Sequence, residues 1–229
     1  MRMEMRSFFI RRMSPQTMKI LRLLLLPALL ILIVSWLTAT TQWKKAKALS
    51  FTLKKTEVPG RPNPEDLQQK ALAARKFIRQ KGYNSNYCFL IDMGLPSGQK
   101  RFFIYDLQKD SIRQAALVAH GNCFEYWLEG RRYSNVVGSG CTSLGKYKVG
   151  NAYTGKWGYS YKLHGLDSSN NNAFERTVVL HGHSCVPETE VSDDICQSNG
   201  CPTVNPSFLL ELKRIINGSA KPLLLWIYD

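Results

Sequence analysis

Two short segments carry side chains that could do covalent chemistry together. His181-Gly-His-Ser-Cys185 closes an apolar run, and Ser198-Asn-Gly-Cys201-Pro follows, with Cys201 twenty residues after His181. An imidazole and a thiol are the two parts of an activated cysteine nucleophile. Cys201 stands just before a helix that Asn205 is placed to cap, and a thiol near a helix N-terminus and an imidazole can ionise more readily. Gly200 lets the backbone turn sharply and present amide N–H groups, which is what an oxyanion hole requires. The imidazole of His181, with an ordinary pKa near ~6.5, can accept a thiol proton at neutral pH.

The same residue types admit duller readings. Cys201 could be half of a disulfide. His181, His183 and Cys185 alternate along an extended segment and could ligate zinc with help from Cys196 and Cys201, although no Cys-x-x-Cys pair is present. His120 and His164 each precede a glycine at a strand end and read as structural. Asn217-Gly-Ser219 matches a glycosylation triplet too short to carry weight.

The elements that must position these groups are legible in outline. Asn63 can cap a helix, Pro64 suits its first position, and Glu65 and Asp66 sit where the dipole favours acids. Leu67, Ala71, Ala74 and Ile78 recur at helical spacing, and Gly82 is a natural stop. Beyond Tyr83 the pattern turns to β. Strands are expected over Tyr87–Met93, Arg101–Leu107, Ser111–His120, Lys146–Ala152, Tyr159–Leu166, Arg176–Leu180 and Lys221–Tyr228, with a loop-rich stretch over Gly121–Gly140. The strand ending at Leu180 delivers His181. Asn205-Pro206 opens a second helix through Ile216, with Gly218 as its stop. Many strands and two helices imply a mainly β domain, a sandwich rather than a parallel α/β sheet.

This domain does not fill the chain. Leu23–Trp43 carries no charge, Leu23–Leu37 is almost wholly aliphatic, and Arg11, Arg12, Lys19 and Arg22 precede it. Such a segment reads as an export signal or a membrane anchor. Ala39 among threonines makes a poor cleavage site, which favours the uncleaved anchor; Met18 is an alternative start. Residues 1–43 are therefore assigned to the leader, 44–62 to a basic, proline-containing linker, and 63–229 to the domain. Of the net charge of +14, residues 1–50 carry +8, leaving 22 basic against 16 acidic residues in the rest. Lys100-Arg101, Arg131-Arg132, Lys146 and Lys148 are scattered, without the clustered basic and aromatic pattern of a nucleic-acid binder. Solvated basic faces suited to an anionic envelope are the simpler account. Six cysteines in an exported chain can pair in 15 ways, and spacing does not choose among them. The pairing expected here is Cys185–Cys196 and Cys123–Cys141, with Cys88 buried in a strand.

Taken in order, these segments resemble the murein L,D-transpeptidase catalytic-domain family, the YkuD-like superfamily, in its Ser-x-Gly-Cys-Pro branch. Cys88–Leu107 is similar to the branch's opening hairpin, and Leu117-Val-Ala-His-Gly121 to its next strand. Ser134-Asn-Val-Val-Gly-Ser139, Thr142-Ser-Leu-Gly-Lys-Tyr147, Tyr153-Thr-Gly-Lys-Trp-Gly-Tyr159 and Leu163-His-Gly-Leu166 follow in the same order. Arg176-Thr-Val-Val-Leu-His-Gly182 and Ser198-Asn-Gly-Cys-Pro202 complete a resemblance spanning residues 85–229.

The resemblance implies an L,D-transpeptidase-like fold in which Cys201 is the nucleophile and His181 the general base. A backbone carbonyl next to the histidine, at Gly182 or its neighbour, would orient the imidazole. Amides around Gly200 and Cys201 would form the oxyanion hole, with Ser198 and Asn199 as supporting residues. The implied substrates are peptidoglycan stem peptides: the thiolate expels D-alanine, and a second amine resolves the thioester. No metal or organic cofactor is needed. Carbapenem-type inhibitors are implied by the same analogy, and a periplasmic or other extracytoplasmic location, anchored through the N-terminal segment, by the leader. Two departures stand out. Asn199 occupies a position that is histidine in many members, and Pro202-Thr203 stands where an arginine is common. Arg176, Lys146 and Tyr159 are the substrate-binding candidates, the first two as substitutes for the missing cation. Thr189–Gln197, with Asp193, Asp194 and Cys196, is expected to cover the site as a lid. Two alternatives remain open: an L,D-carboxypeptidase or endopeptidase using the same thiol with water, and a non-catalytic envelope protein that binds murein.

Overall fold

The computed structural model describes residues 35–37, which are helical, and 63–229. The leader, apart from 35–37, and the linker lie outside the described residues, and among the described residues no helix is long and apolar enough to cross a membrane. In chain order the elements are helix α1 (Pro64–Lys81), strands β1 (Tyr87–Asp92), β2 (Phe102–Asp106), β3 (Ser111–Ala116), β4 (Val118–Ala119), β5 (Gly145–Gly155), β6 (Gly158–Gly165), β7 (Val179–Gly182) and β8 (Thr203–Val204), helix α2 (Pro206–Asn217) and strand β9 (Leu224–Tyr228).

The mainly β expectation holds, but two stacked sheets do not form. All nine strands join one mixed sheet in the order β3-β2-β1-β9-β5-β6-β7-β8-β4. The last strand is responsible. β9 lies parallel to β1 on one side and antiparallel to β5 on the other, so it joins the opening hairpins to the β5–β6 pair. The two edges, β3 and β4, are separated in sequence by Leu117 alone, so the sheet is nearly closed on itself. The single strand expected over Ser111–His120 is divided there, its first part pairing with β2 and its second with β8.

Period-two alternation gives β1, β2 and β9 two buried faces. Cys88, Leu90, Phe103, Tyr105, Leu224 and Tyr228 face α1 and meet its Leu67, Ala71, Ala74 and Ile78. Phe89, Ile91, Phe102, Ile104, Leu225 and Ile227 face the interior, which α2 fills with Phe208, Leu209, Leu212 and Ile215. Both helices start as their sequences require. Asn63 Oδ1 accepts from Glu65 N–H (3.1 Å), Asn205 Oδ1 accepts from Ser207 N–H (2.9 Å), and a proline follows each cap. Both expected disulfides are present, Cys123–Cys141 and Cys185–Cys196; Cys88 is free and buried in β1, which pushes its thiol pKa up to about 12.

Candidate active site

Strand β7 places the histidine. Val178 and Leu180 join the interior core, so Val179 and His181 face the opposite side of the sheet. His181 pairs with Ser160 of β6 on one side and Thr203 of β8 on the other. The strand begins three residues later than the sequence pattern suggested, because 167–177 is a series of turns fixed by Asp167 and Asn170.

The nucleophile turn is held by its own side chains. Ser198 Oγ donates to Cys201 O (2.7 Å) and accepts from Gly200 N–H (3.2 Å). Gly200 has φ +104°, and a β-carbon there would lie 2.7 Å from Cys141 O, so both conformation and space demand glycine. The same Cys141 carbonyl accepts from Arg176, whose guanidinium also donates to Ser134 O (2.8 Å), Ser143 Oγ (3.0 Å) and Ser139 Oγ (3.2 Å). The turn also pairs with the end of β4: Ser198 N–H donates to His120 O (2.8 Å) and Asn122 N–H donates to Ser198 O (2.7 Å).

His181, His183, Cys201, Thr203 and Trp157 line one cleft, with Ala119, the Cys185–Cys196 disulfide and residues 197–199 completing its walls. Cys201 is a half-buried free thiol. Its Sγ accepts from Val179 N–H (3.5 Å) and lies 4.0 Å from Thr177 O. Burial raises its pKa, opposed by the Val179 N–H and by the nearby Arg176 cation. His181 Nδ1 lies 3.2 Å from Gly182 O. A carbonyl can only accept, so Nδ1 carries the hydrogen and Nε2 the lone pair. Nε2 lies 2.9 Å from Thr203 Oγ1, whose hydroxyl therefore donates to it. Burial lowers the imidazole pKa, the Gly182 carbonyl opposes this and His183 adds to it, so the ring is neutral at neutral pH. Trp157, from the turn between β5 and β6, stacks on the His181 ring at 5.4 Å and meets His183 edge-on at 5.8 Å. No hydrogen bond joins Cys201 Sγ to the imidazole among the described residues.

The sequence profile of the L,D-transpeptidase catalytic domain matches residues 62–228. The chain belongs to this family. No curated protein matches it in sequence. Among solved structures it is similar to an L,D-transpeptidase (residues 123–326) from Xylanimonas cellulosilytica DSM 15894, at 16% identity over 67% of this chain and 68% of that one, TM-score 0.36. It is also similar to the helical cell shape determining protein Pgp2 (K307A mutant) from Campylobacter jejuni, at 12% identity over 74% and 57%, TM-score 0.43. A third neighbour is the L,D-transpeptidase LdtMt1 in complex with imipenem, at 7% identity over 62% and 59%, TM-score 0.38. The chain thus spans less than two thirds of the last two chains. At these scores the family assignment rests on the sequence profile, and with it a function related to peptidoglycan.

Within this L,D-transpeptidase domain the predicted residues divide. Cys201, His181, Ser198 and Asn199 line the cleft, and Gly182 and Gly200 sit beside it in the roles their backbones allow. Among the described residues the Gly200 N–H is already bound by Ser198 Oγ, whereas no hydrogen bond engages the Asn199 and Cys201 N–H groups of the turn. Arg176 reaches the underside of the nucleophile turn, but its donors are held by two carbonyls and two serine hydroxyls, so it ties loops together instead of facing the cleft. Lys146 is not brought to the cleft. It lies on the α1 side, paired with Asp167 (3.0 Å) and over the Trp226 ring (4.8 Å). Tyr159 is on the other face from Ser160 and His181, against Tyr161, Asn217 and Lys213. The 189–197 segment meets the cleft only at its end, where Cys196 and Gln197 form part of the wall: Val191 N–H donates to Gly98 O (2.9 Å), Glu190 accepts from Lys100 N–H (2.8 Å) and Asp194 accepts from Ser97 Oγ, so its tip docks on the β1–β2 turn instead of covering the site. The disulfide at 185–196 takes up two of the thiols that the zinc reading needed.

Three cleft residues escape a reading of the linear pattern. Trp157 is visible there only as a turn residue before Gly158. Thr203 stands out only as a non-arginine, and His183, which lines the cleft, figures in the sequence only as a possible zinc ligand. Its Nδ1 accepts from Cys185 N–H (3.1 Å), which places its hydrogen on Nε2.

Proposed function

We propose that this protein is a peptidoglycan L,D-transpeptidase that acts through a Cys201 acyl-enzyme on murein stem peptides. The observation that carries this reading is the pairing, within one cleft, of a free thiol with a neutral imidazole whose lone pair is on Nε2. His181 removes the thiol proton, and the thiolate attacks the carbonyl of an L,D-peptide linkage. Cys201 N–H receives the developing oxyanion. The imidazolium then protonates the departing D-alanine amine, leaving a thioester, and an amine of a second stem attacks it to complete transfer. The two disulfides support an oxidising compartment. With the apolar, basic-flanked segment before residue 44, they favour the cell envelope, with the chain anchored in the membrane.

The test is a mass measurement. The full chain is incubated with tetrapeptide stems and, separately, with imipenem, then weighed intact and after digestion. An acyl adduct on Cys201 is expected, absent in Cys201→Ser and formed about 10²-fold or more slowly in His181→Ala. No adduct, with murein binding retained, makes the chain a non-catalytic binding protein. D-alanine released without cross-linked product identifies a hydrolase.

A further inference from the structure

The imidazole of His181 is fixed on three sides. Gly182 O holds Nδ1, the Trp157 ring covers one face, and Thr203 Oγ1 lies 2.9 Å from Nε2. A ring so held cannot swing its lone pair away from Thr203 without giving up the carbonyl and the stack. Cys201, two residues before Thr203, opens into the same cleft, yet its Sγ contacts Val179 and Thr177 instead of the imidazole. Among the described residues, the hydroxyl in contact with the imidazole belongs to Thr203, which is buried at 3% exposure and has a second acceptor, Cys201 O, at 3.3 Å.

We propose that the Thr203 hydroxyl relays the proton from Cys201 to His181. Rotation about the Cys201 Cα–Cβ bond turns Sγ toward Thr203. The thiol then gives its proton to Oγ1 as Oγ1 passes its own to Nε2. The S–H and O–H bonds break, new O–H and N–H bonds form, and the products are a thiolate, an unchanged threonine and an imidazolium. A hydroxyl suits this position because it both donates and accepts. It donates to neutral Nε2 at rest. After transfer it accepts from Nε2–H and turns its hydrogen to Cys201 O. Among the residues lining the cleft, the titratable side chains are Cys201, His181 and His183, since Cys185 and Cys196 form a disulfide; Arg176 stands behind the nucleophile turn. Among the described residues, no carboxylate lines the cleft to replace the relay.

This inference rests on reading Cys201 as nucleophile and His181 as base, but its test needs no peptidoglycan. The rate of Cys201 alkylation by iodoacetamide is followed against pH in the full chain and in Thr203→Ser, Thr203→Val and Thr203→Ala, with His181→Ala as reference and circular dichroism as the folding check. Thr203→Val is expected to slow alkylation at pH 7 by at least about tenfold, to the His181→Ala level, and combining the two changes should slow it no further. Its pH profile should lose the acidic arm that belongs to the imidazole, which burial sets below the ordinary histidine range. Thr203→Ser restores both rate and profile. If Val fails to fold, the contrast between Ser and Ala carries the test. Val or Ala variants that alkylate as fast as the parent, or a Ser variant as slow as Val, overturn the relay. Alkylation that depends on Thr203 in a protein that forms no adduct with stem peptides leaves the relay standing and removes the peptidoglycan reading instead.

Discussion

At the residue scale, the geometry of the nucleophile turn depends on an absent side chain. Gly200 has both a left-handed φ and a carbonyl at 2.7 Å from where a β-carbon would lie. Gly200→Ala therefore has to push Cys141 away, and Cys141 is held by Arg176 and by its disulfide to Cys123. We expect a loss of about 1–3 kcal/mol in unfolding free energy, read from denaturant melts, and a larger proportional loss of acylation because the turn carries the thiol. A substitution that cost stability alone, with the acylation rate unchanged, would show that the turn tolerates displacement. Asn199, the departure most visible in the sequence, is an exposed residue of this turn and lines the cleft.

At the element scale, α2 does more than fill the interior. Its cap, Asn205, accepts from Ser207 N–H (2.9 Å) and donates to Val186 O (2.7 Å), linking the helix start to the segment after His183. Asn205→Ala removes both bonds, and a stability loss of about 1–2 kcal/mol is expected. Because Cys185 and His183 adjoin Val186, amide hydrogen exchange should accelerate over 183–186 in the same variant. Unchanged exchange there would confine Asn205 to helix capping. The β5–β6 pair has a similar double role. Its strands build the sheet, and the turn between them carries Trp157 onto the histidine.

At the scale of the whole molecule, the near-closed sheet buries ionisable groups where its edges meet. Arg101 is fully buried and donates to Val118 O, Leu95 O and His120 Nδ1 (3.0 Å). Arginine only donates, so His120 is neutral. Burial and then the Arg101 charge bring its pKa down to about 4. The unfolded chain takes up this proton near pH ~6.5, before the folded one does. Stability is therefore complete above about pH 6.5 and is lost progressively as pH falls toward 4, by up to about 3 kcal/mol from His120. His181 and His164, also lowered by burial, act in the same direction. Melting temperatures between pH 7 and 4 should trace this loss, with a flatter slope in His120→Asn, which keeps an acceptor for Arg101 but no titration. An equal slope in both proteins would assign the acid sensitivity elsewhere.

The chain's local chemistry was enough to mark His181 and Cys201, both helix caps, the helical stripe on α1 and most strand positions. Each of these is written in neighbouring residues through capping, periodicity or turn preference. The family could be read from the order of its segments. Other features depended on which strands meet. One sheet forms in place of two because β9 pairs with both β1 and β5, setting Leu225 opposite Phe89 and Tyr147, contacts far apart along the chain and invisible to local pattern. Strand alternation assigns Tyr159 and His181 to opposite faces once β6 and β7 are in register, and Lys146 finds Asp167 and Trp226 only when the sheet has formed. Thr203 is an ordinary β-branched residue in the sequence. The parallel pairing of β7 with β8 is what sets its hydroxyl against Nε2, because register decides which side chains stand opposite one another.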